Sequence, residues 1–262
     1  MQTQQPDERN PIDDERYAIE EPFRYFRVGE ENAGTQDLAN TELLSVLPGH
    51  HYSINEKILR LEFHNFQDNN RLGQEPISIN LRVDASPGCG GIVWPAGQIL
   101  SNYLIRKGSK FLQGKRIVEL GSGTGLVGLI AAKLGGSRVW ITDQAPLLDI
   151  MQQNLSMNRL QHNCAVAELD WGTSIPATIP LPDVILAADC VYFEPAFPLL
   201  VRTLDALATE NTQILFCYKK RADKRFFGVL KKRFTWAEVM DDPNRDIYSR
   251  ESITLIKLSK IV

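Results

Sequence analysis

The chain has 262 residues, 43% of them apolar, and a formal net charge of −3. That length admits one large domain with an extension, and that apolar share is enough for a sizeable core. The near-balanced charge gives no global pull toward nucleic acid or an anionic membrane. Cys89, Cys164, Cys190 and Cys217 are scattered without C-x-x-C spacing, which argues against a metal site and a disulfide framework.

Residues 1–21 are rich in Gln, Asp, Glu, Asn and Pro. They bury too little to offset their ordering entropy, so a disordered tail is expected. The beginning is polar and acidic, and no apolar run reaches membrane-spanning length, so a soluble cytoplasmic protein is expected. Phe23, Tyr25 and Phe26 form a small aromatic cluster suited to core packing. Residues 57–66 and 77–83 alternate apolar and polar side chains across a polar stretch, 67–75. This pattern predicts a β-hairpin. The chain therefore divides into a tail (1–21), an extension carrying the hairpin (22–90) and a main domain (91–262).

The glycines of 88–91 make a flexible approach to Trp94-Pro95-Ala96. Pro95 suits the first turn of a helix, and residues 98–107 are amphipathic. A helix here can lay Trp94 over a pocket, or Trp94 can simply pack in the core.

Residues 116–143 organise the rest: R-I-V-E-L-G-S-G-T-G-L-V-G-L-I-A-A-K-L-G-G-S-R-V-W-I-T-D. They predict a strand, a glycine turn, a helix over 126–134, a second strand over 139–142, and Asp143 at that strand's end. Gly121, Gly123 and Gly125 permit the sharp turn and let a ligand approach the main chain. Asp143 lies 22 residues after Gly121 and suits a ribose diol. The pattern is G-x-G-x-G with Glu119 beside it, not the G-x-G-x-x-G that cradles a pyrophosphate. An acid there repels phosphate and suits a cation, which favours S-adenosylmethionine over a nicotinamide cofactor.

Further on, a helix is expected over 146–159, a short strand at 165–169 running into Asp170-Trp171-Gly172, and an apolar strand at 183–188. That strand reads as central in a parallel sheet and runs into Asp189-Cys190-Val191-Tyr192. A helix at 197–207, strands at 213–218, 235–240 and 252–260, and a basic helix at 223–233 complete a doubly wound α/β domain of seven strands.

Ligands of such sheets bind outside the carboxyl ends of the strands. Trp171 can flank an adenine ring, or pack ordinarily. Asp189 can orient an incoming amine by hydrogen bonding, or cap a helix. Tyr192 can bound the channel and hold a methylated ammonium over its ring. D-C-V-Y at this tip lacks the paired prolines that shape a slot for a nucleobase. The basic stretch 219–225 can contact RNA or an acidic protein face, or be a solvated helix face.

V-E-L-G-S-G-T-G-L-V-G, W-I-T-D, D-W-G and A-A-D-C-V-Y, with I-V-W-P-A-G upstream, resemble the family-16 class I methyltransferases. The likeness runs from about Gly90 to the C-terminus. It implies a Rossmann-like, S-adenosylmethionine-dependent enzyme that methylates lysines of non-histone proteins. By motif, the cofactor contacts fall on Trp94, Gly121, Ser122, Gly123, Asp143, Trp171 and Ala188, with Glu119 beside the turn. The D-x-x-Y pair implied for catalysis falls on Asp189 and Tyr192, and no metal is implied. Pro95 stands where many members carry an acid. The segment C-Y-K-K-R-A-D-K-R-F-F is most similar to the fungal branch acting on elongation factor 1-alpha. The expectation is a monomer acting on that protein. The alternatives are a methyltransferase for RNA or a small molecule, or a non-catalytic cofactor-binding scaffold.

Overall fold

The computed structural model describes residues 58–64, 76–84, 89–221 and 224–261. The expected tail, the cluster of Phe23, Tyr25 and Phe26, and the hairpin loop 67–75 lie outside these residues.

β1 (Ile58–Phe63) and β2 (Ile77–Arg82) pair antiparallel, with Ile58 opposite Arg82 and Phe63 opposite Ile77. Alternation decides which side is buried: Phe63, Ile79 and Leu81 point inward, while Ile58 is largely exposed. Then come α1 (Pro95–Lys107), the single turn α2 (Ser109–Leu112), β3 (Arg116–Leu120), α3 (Leu126–Lys133) and β4 (Arg138–Asp143). They are followed by α4 (Leu148–Met157), β5 (Cys164–Glu168), β6 (Val184–Ala188), α5 (Phe197–Leu207) and β7 (Gln213–Lys219). α6 (Lys224–Leu230), β8 (Phe234–Glu238), α7 (Arg245–Arg250) and β9 (Ile253–Lys260) close the chain.

The seven strands from β3 onward form one sheet in the order β5-β4-β3-β6-β7-β9-β8. β5, β4, β3, β6 and β7 run parallel to one another, and β9 runs antiparallel between β7 and β8. The chain moves outward from β3 to β5, then returns across β3 to begin β6. The order therefore reverses between β3 and β6, and a crevice opens there at the carboxyl ends.

Alternate residues of each strand feed two cores. Ile117, Val139, Ile141, Val184 and Leu186 join α1, α3, α4 and the hairpin's inward residues. Val118, Leu120, Ile185, Ala187 and Phe216 join α5 and α6 on the other face. The doubly wound seven-strand sheet and its N-terminal hairpin are as the sequence predicts. Two details differ. Residues 145–147 form a 3-10 turn, so α4 starts at Leu148, two residues after Pro146. The short α7, anchored by the buried Tyr248, was not foreseen, because one and a half turns carry too little periodicity to detect.

The hairpin is held by side chains where a third strand would otherwise pair. Asn154 Oδ1 accepts the N–H of Arg82 at 2.6 Å, and its Nδ2 donates to the Arg82 carbonyl at 3.1 Å. One turn on, Asn158 does the same for Asn80, at 3.0 and 2.7 Å. Two asparagines four apart on one helix thus satisfy an open strand edge.

Candidate active site

β3 ends in the glycine turn, and Gly121, Gly123 and Gly125 adopt φ of 59°, 55° and 82°. Side chains are excluded for steric reasons as well. A Cβ on Gly123 would lie 2.4 Å from the Gly90 carbonyl oxygen. One on Gly121 would lie 2.8 Å from the Trp171 ring and 3.1 Å from the Cys190 sulfur. Gly90, in the glycine-rich approach, is therefore part of the turn's setting.

Asp143 ends β4 beside this turn. Its Oδ2 accepts the Gly123 N–H and its Oδ1 the Gln144 N–H, both at 2.8 Å. Burial raises its carboxyl above the ordinary aspartate range, and those two N–H groups oppose the rise. Ser122 fixes the turn to β4: its Oγ accepts the Thr142 N–H at 2.9 Å and donates to the Glu119 carbonyl at 3.2 Å. Glu119 is buried, and its carboxylate accepts the Gly128 N–H at 2.8 Å at the start of α3. Burial pushes it up to about 8, against the pull of that N–H. The Glu119 carboxylate thereby caps the helix that follows the turn, a contact sequence reading did not foresee.

Trp171 is half-buried, with its ring against Gly121 and packed on the second core. The packing reading of this residue is thus observed, and its ring stands beside the glycine turn. The Cys190 thiol bridges the tips of β3 and β6 by donating to the Leu120 carbonyl at 3.3 Å. Burial, then the charges of Asp143, Asp189 and Glu119, push that thiol up, which keeps it neutral.

At the tip of β6, Ala188 is half-buried and Asp189 turns the chain with φ 55°. Few residues other than glycine adopt this conformation, and Asp is among those that tolerate it. The Asp189 N–H donates to the Cys217 carbonyl at 2.8 Å. Its carboxylate is gripped by Arg221, with Nη1 to Oδ1 at 3.0 Å and Nη2 to Oδ2 at 3.2 Å, and Oδ1 also accepts the Lys219 N–H at 3.3 Å. The Asp189 side chain is 5% exposed and that of Arg221 is 35% exposed. The guanidinium carbon lies 6.0 Å from the centre of the Trp94 ring. Trp94 is extended at the N-terminus of α1, with Pro95 opening the helix. α5 begins at Phe197 without a side-chain cap, so Asp189 does not serve as its N-cap. Tyr192 is 60% exposed and Phe193 48% exposed beyond this corner, and Glu194 pairs with Arg225.

Two groups result. Glu119, Gly121, Ser122, Gly123, Asp143 and Trp171 surround the turn. Trp94 and Asp189 meet through Arg221, with Ala188 and Tyr192 flanking Asp189 in the chain. Sequence reading missed Arg221 and Cys190. Arg221 sat inside a basic stretch read as a surface feature; the signal was its position just past a strand that neighbours β6.

The turn is a cradle of bare backbone bounded by an aromatic ring, a carboxylate and a small residue at the next tip. Among the described residues around the turn, the Asp143 carboxylate stands where a phosphate would need a cation. These features fit a nucleoside bearing a positive charge, such as S-adenosylmethionine, better than a dinucleotide.

A family model described as lysine methyltransferase matches residues 74–233. The chain is 38% identical over 199 residues to the protein-lysine N-methyltransferase EFM6 of Saccharomyces cerevisiae, covering 65% of this chain and 81% of that one. It is 40% identical over 168 residues to the protein N-lysine methyltransferase METTL21A of Danio rerio, covering 62% and 76%. Among solved structures, a 16S rRNA N2 G1207 methyltransferase of T. thermophilus, in complex with AdoMet and guanosine, aligns with a TM-score of 0.55. It has 14% identity, over 79% of this chain and 51% of that one, a likeness of fold alone.

Proposed function

The chain belongs to the lysine methyltransferase family, and from that premise we propose that it transfers a methyl group from S-adenosylmethionine to a lysine amine of a protein. The acceptor we favour is elongation factor 1-alpha. The observation that carries the reading is Asp189, a carboxylate held at φ 55° at the tip of β6, beside the crevice where the strand order reverses. A left-handed non-glycine residue stores strain that surrounding contacts must hold, and such strain gathers at functional sites.

S-adenosylmethionine, when bound, supplies an electrophilic methyl on a sulfonium. The glycine turn, Asp143, Trp171, Trp94 and Ala188 would hold it. Asp143 offers each oxygen's remaining lone pair to a ribose hydroxyl while its other contacts keep the turn in shape. Glu119 and Ser122 support the turn from behind. Asp189 and Tyr192 face the acceptor. Lysine must arrive as the free amine, because only its lone pair can attack. At its unperturbed pKa of about 10.4 it is mostly protonated near neutrality. Desolvation in the channel lowers that value, and alignment within about 3–3.5 Å of the methyl does the rest. No strong general base is needed.

Support for the elongation factor comes from the resemblance of residues 217–227 to the fungal branch. RNA is disfavoured because Arg221 and Arg225 of the basic stretch are engaged by Asp189 and Glu194. A cytoplasmic location follows from the proposed acceptor, and a monomer suffices for the chemistry. Methyl transfer from labelled S-adenosylmethionine into a cytoplasmic extract, with RNase and protease arms, tests the reading. One protein band at the mass of the elongation factor, insensitive to RNase, is expected. Label removed by RNase would overturn it.

A further inference from the structure

We propose that Arg221 is a positioning residue that neutralises Asp189, so that Asp189 can orient the acceptor lysine without trapping it as an ammonium. The inference rests on the reading of Asp189 given above. A bare carboxylate and a lysine within about 4–6 Å form an ion pair, and that pairing raises the lysine pKa by about 1–3 units. Such a pair is counterproductive here, since the ammonium has no lone pair with which to attack. A hydrogen bond from the neutral amine is what the reaction needs, without the full charge that would hold the proton in place.

The geometry of Arg221 meets that requirement. Both of its terminal nitrogens engage both oxygens of Asp189, the bidentate arrangement that fixes a carboxylate most firmly. Three N–H groups now point at the carboxylate, counting that of Lys219. A carboxylate has about four lone-pair sites, so one acceptor position on Oδ2 remains for an incoming amine. The Trp94 face lies beside the guanidinium and keeps the fork oriented. Among the described residues Arg221 is the ion-pair partner of Asp189, and two thiols lie near enough to feel its charge. Those of Cys190 and Cys217 are buried and pushed up, so neither titrates over the working range. Asp143 and Glu119 act on Cys190 from the glycine turn and are held by their own N–H donors.

The consequence is a signature in pH rather than in rate alone. Arg221→Met keeps the aliphatic stem and removes the charge. Initial rates of labelling would be measured from pH 6.5 to 9.5 with heat-inactivated, RNase-treated extract as the acceptor pool and saturating S-adenosylmethionine, for wild type, Arg221→Met, Arg221→Lys, Asp189→Asn and the double variant. Calorimetric affinity for S-adenosylmethionine would be measured in parallel. We expect the alkaline rise in the Arg221→Met rate to move up by about one unit, so that its deficit is large near neutrality and shrinks toward pH 9.5. Arg221→Lys should restore part of the shift, cofactor affinity should hold, and the shift should vanish when Asp189 is already Asn. A deficit of equal size at every pH, or a shift that survives in the double variant, would overturn the proposal while leaving Asp189 in its role. Full activity of Asp189→Ala, which has no acceptor and is assayed alongside, would overturn the reading beneath it.

Discussion

At Asp143 the two carboxylate oxygens already accept the N–H groups of Gly123 and Gln144, so the side chain shapes the turn before any ligand arrives. Asp143→Ala should therefore weaken S-adenosylmethionine binding twice over, through the lost ribose contacts and the loosened turn. Hydrogen bonds to a charged group contribute about 1.5–3 kcal/mol, so a loss of about 10- to 100-fold in affinity is expected by calorimetry. The ionised form is the better acceptor, and burial raises this carboxyl above its ordinary value. Affinity should thus fall on acidification, beginning at a higher pH than for an exposed aspartate. Glu119 gives a stability signal of its own. Its folded value, about 8, lies above the 4.5 of the unfolded chain, so the folded state holds the proton more tightly. That contribution is fully present below pH 4.5 and is lost as pH rises toward 8. Glu119→Gln cannot ionise, so its melting temperature should gain on wild type across that window. A difference that does not change with pH would refute the assignment.

Among the elements, α4 joins parts of the fold that sequence reading kept separate. Asn154 is fully buried, and besides gripping Arg82 it donates to the Thr124 carbonyl at 2.9 Å. One amide therefore ties the hairpin to the glycine turn. Asn154→Ala would leave an N–H and two carbonyls without these partners. A cost of about 2–4 kcal/mol is expected in denaturant unfolding, together with weaker cofactor binding. Asn154→Ala with unchanged stability would mean that solvent replaces these bonds. This clamp was not legible in the sequence, because a polar residue in an amphipathic helix ordinarily faces water. The glycine turn, Asp143 and the strand–helix alternation were legible, since local spacing and backbone sterics determine them. The Arg221–Asp189 pair was not, because it joins residues 32 apart through the neighbouring tips of β6 and β7.

Over the whole molecule, the reversal of strand order between β3 and β6 brings these pieces to one edge of the sheet. The turn and Asp143 stand on the β3–β4 side, while Asp189, Arg221 and Trp94 meet beyond β6. Trp171 and Cys190 fill the space against Gly121. Tyr192 and Phe193 are exposed at the same edge, three and four residues after Asp189. The most direct test of this account is the chemical identity of the methylated residue. Protein labelled by the wild type, and by Asp189→Ala, would be hydrolysed completely and its amino acids separated. The label should run with methylated lysine for the wild type and fall sharply for Asp189→Ala, which removes the acceptor oxygens, while calorimetric cofactor binding should hold. Label in any residue other than lysine, or equal labelling by the two enzymes, would contradict the account.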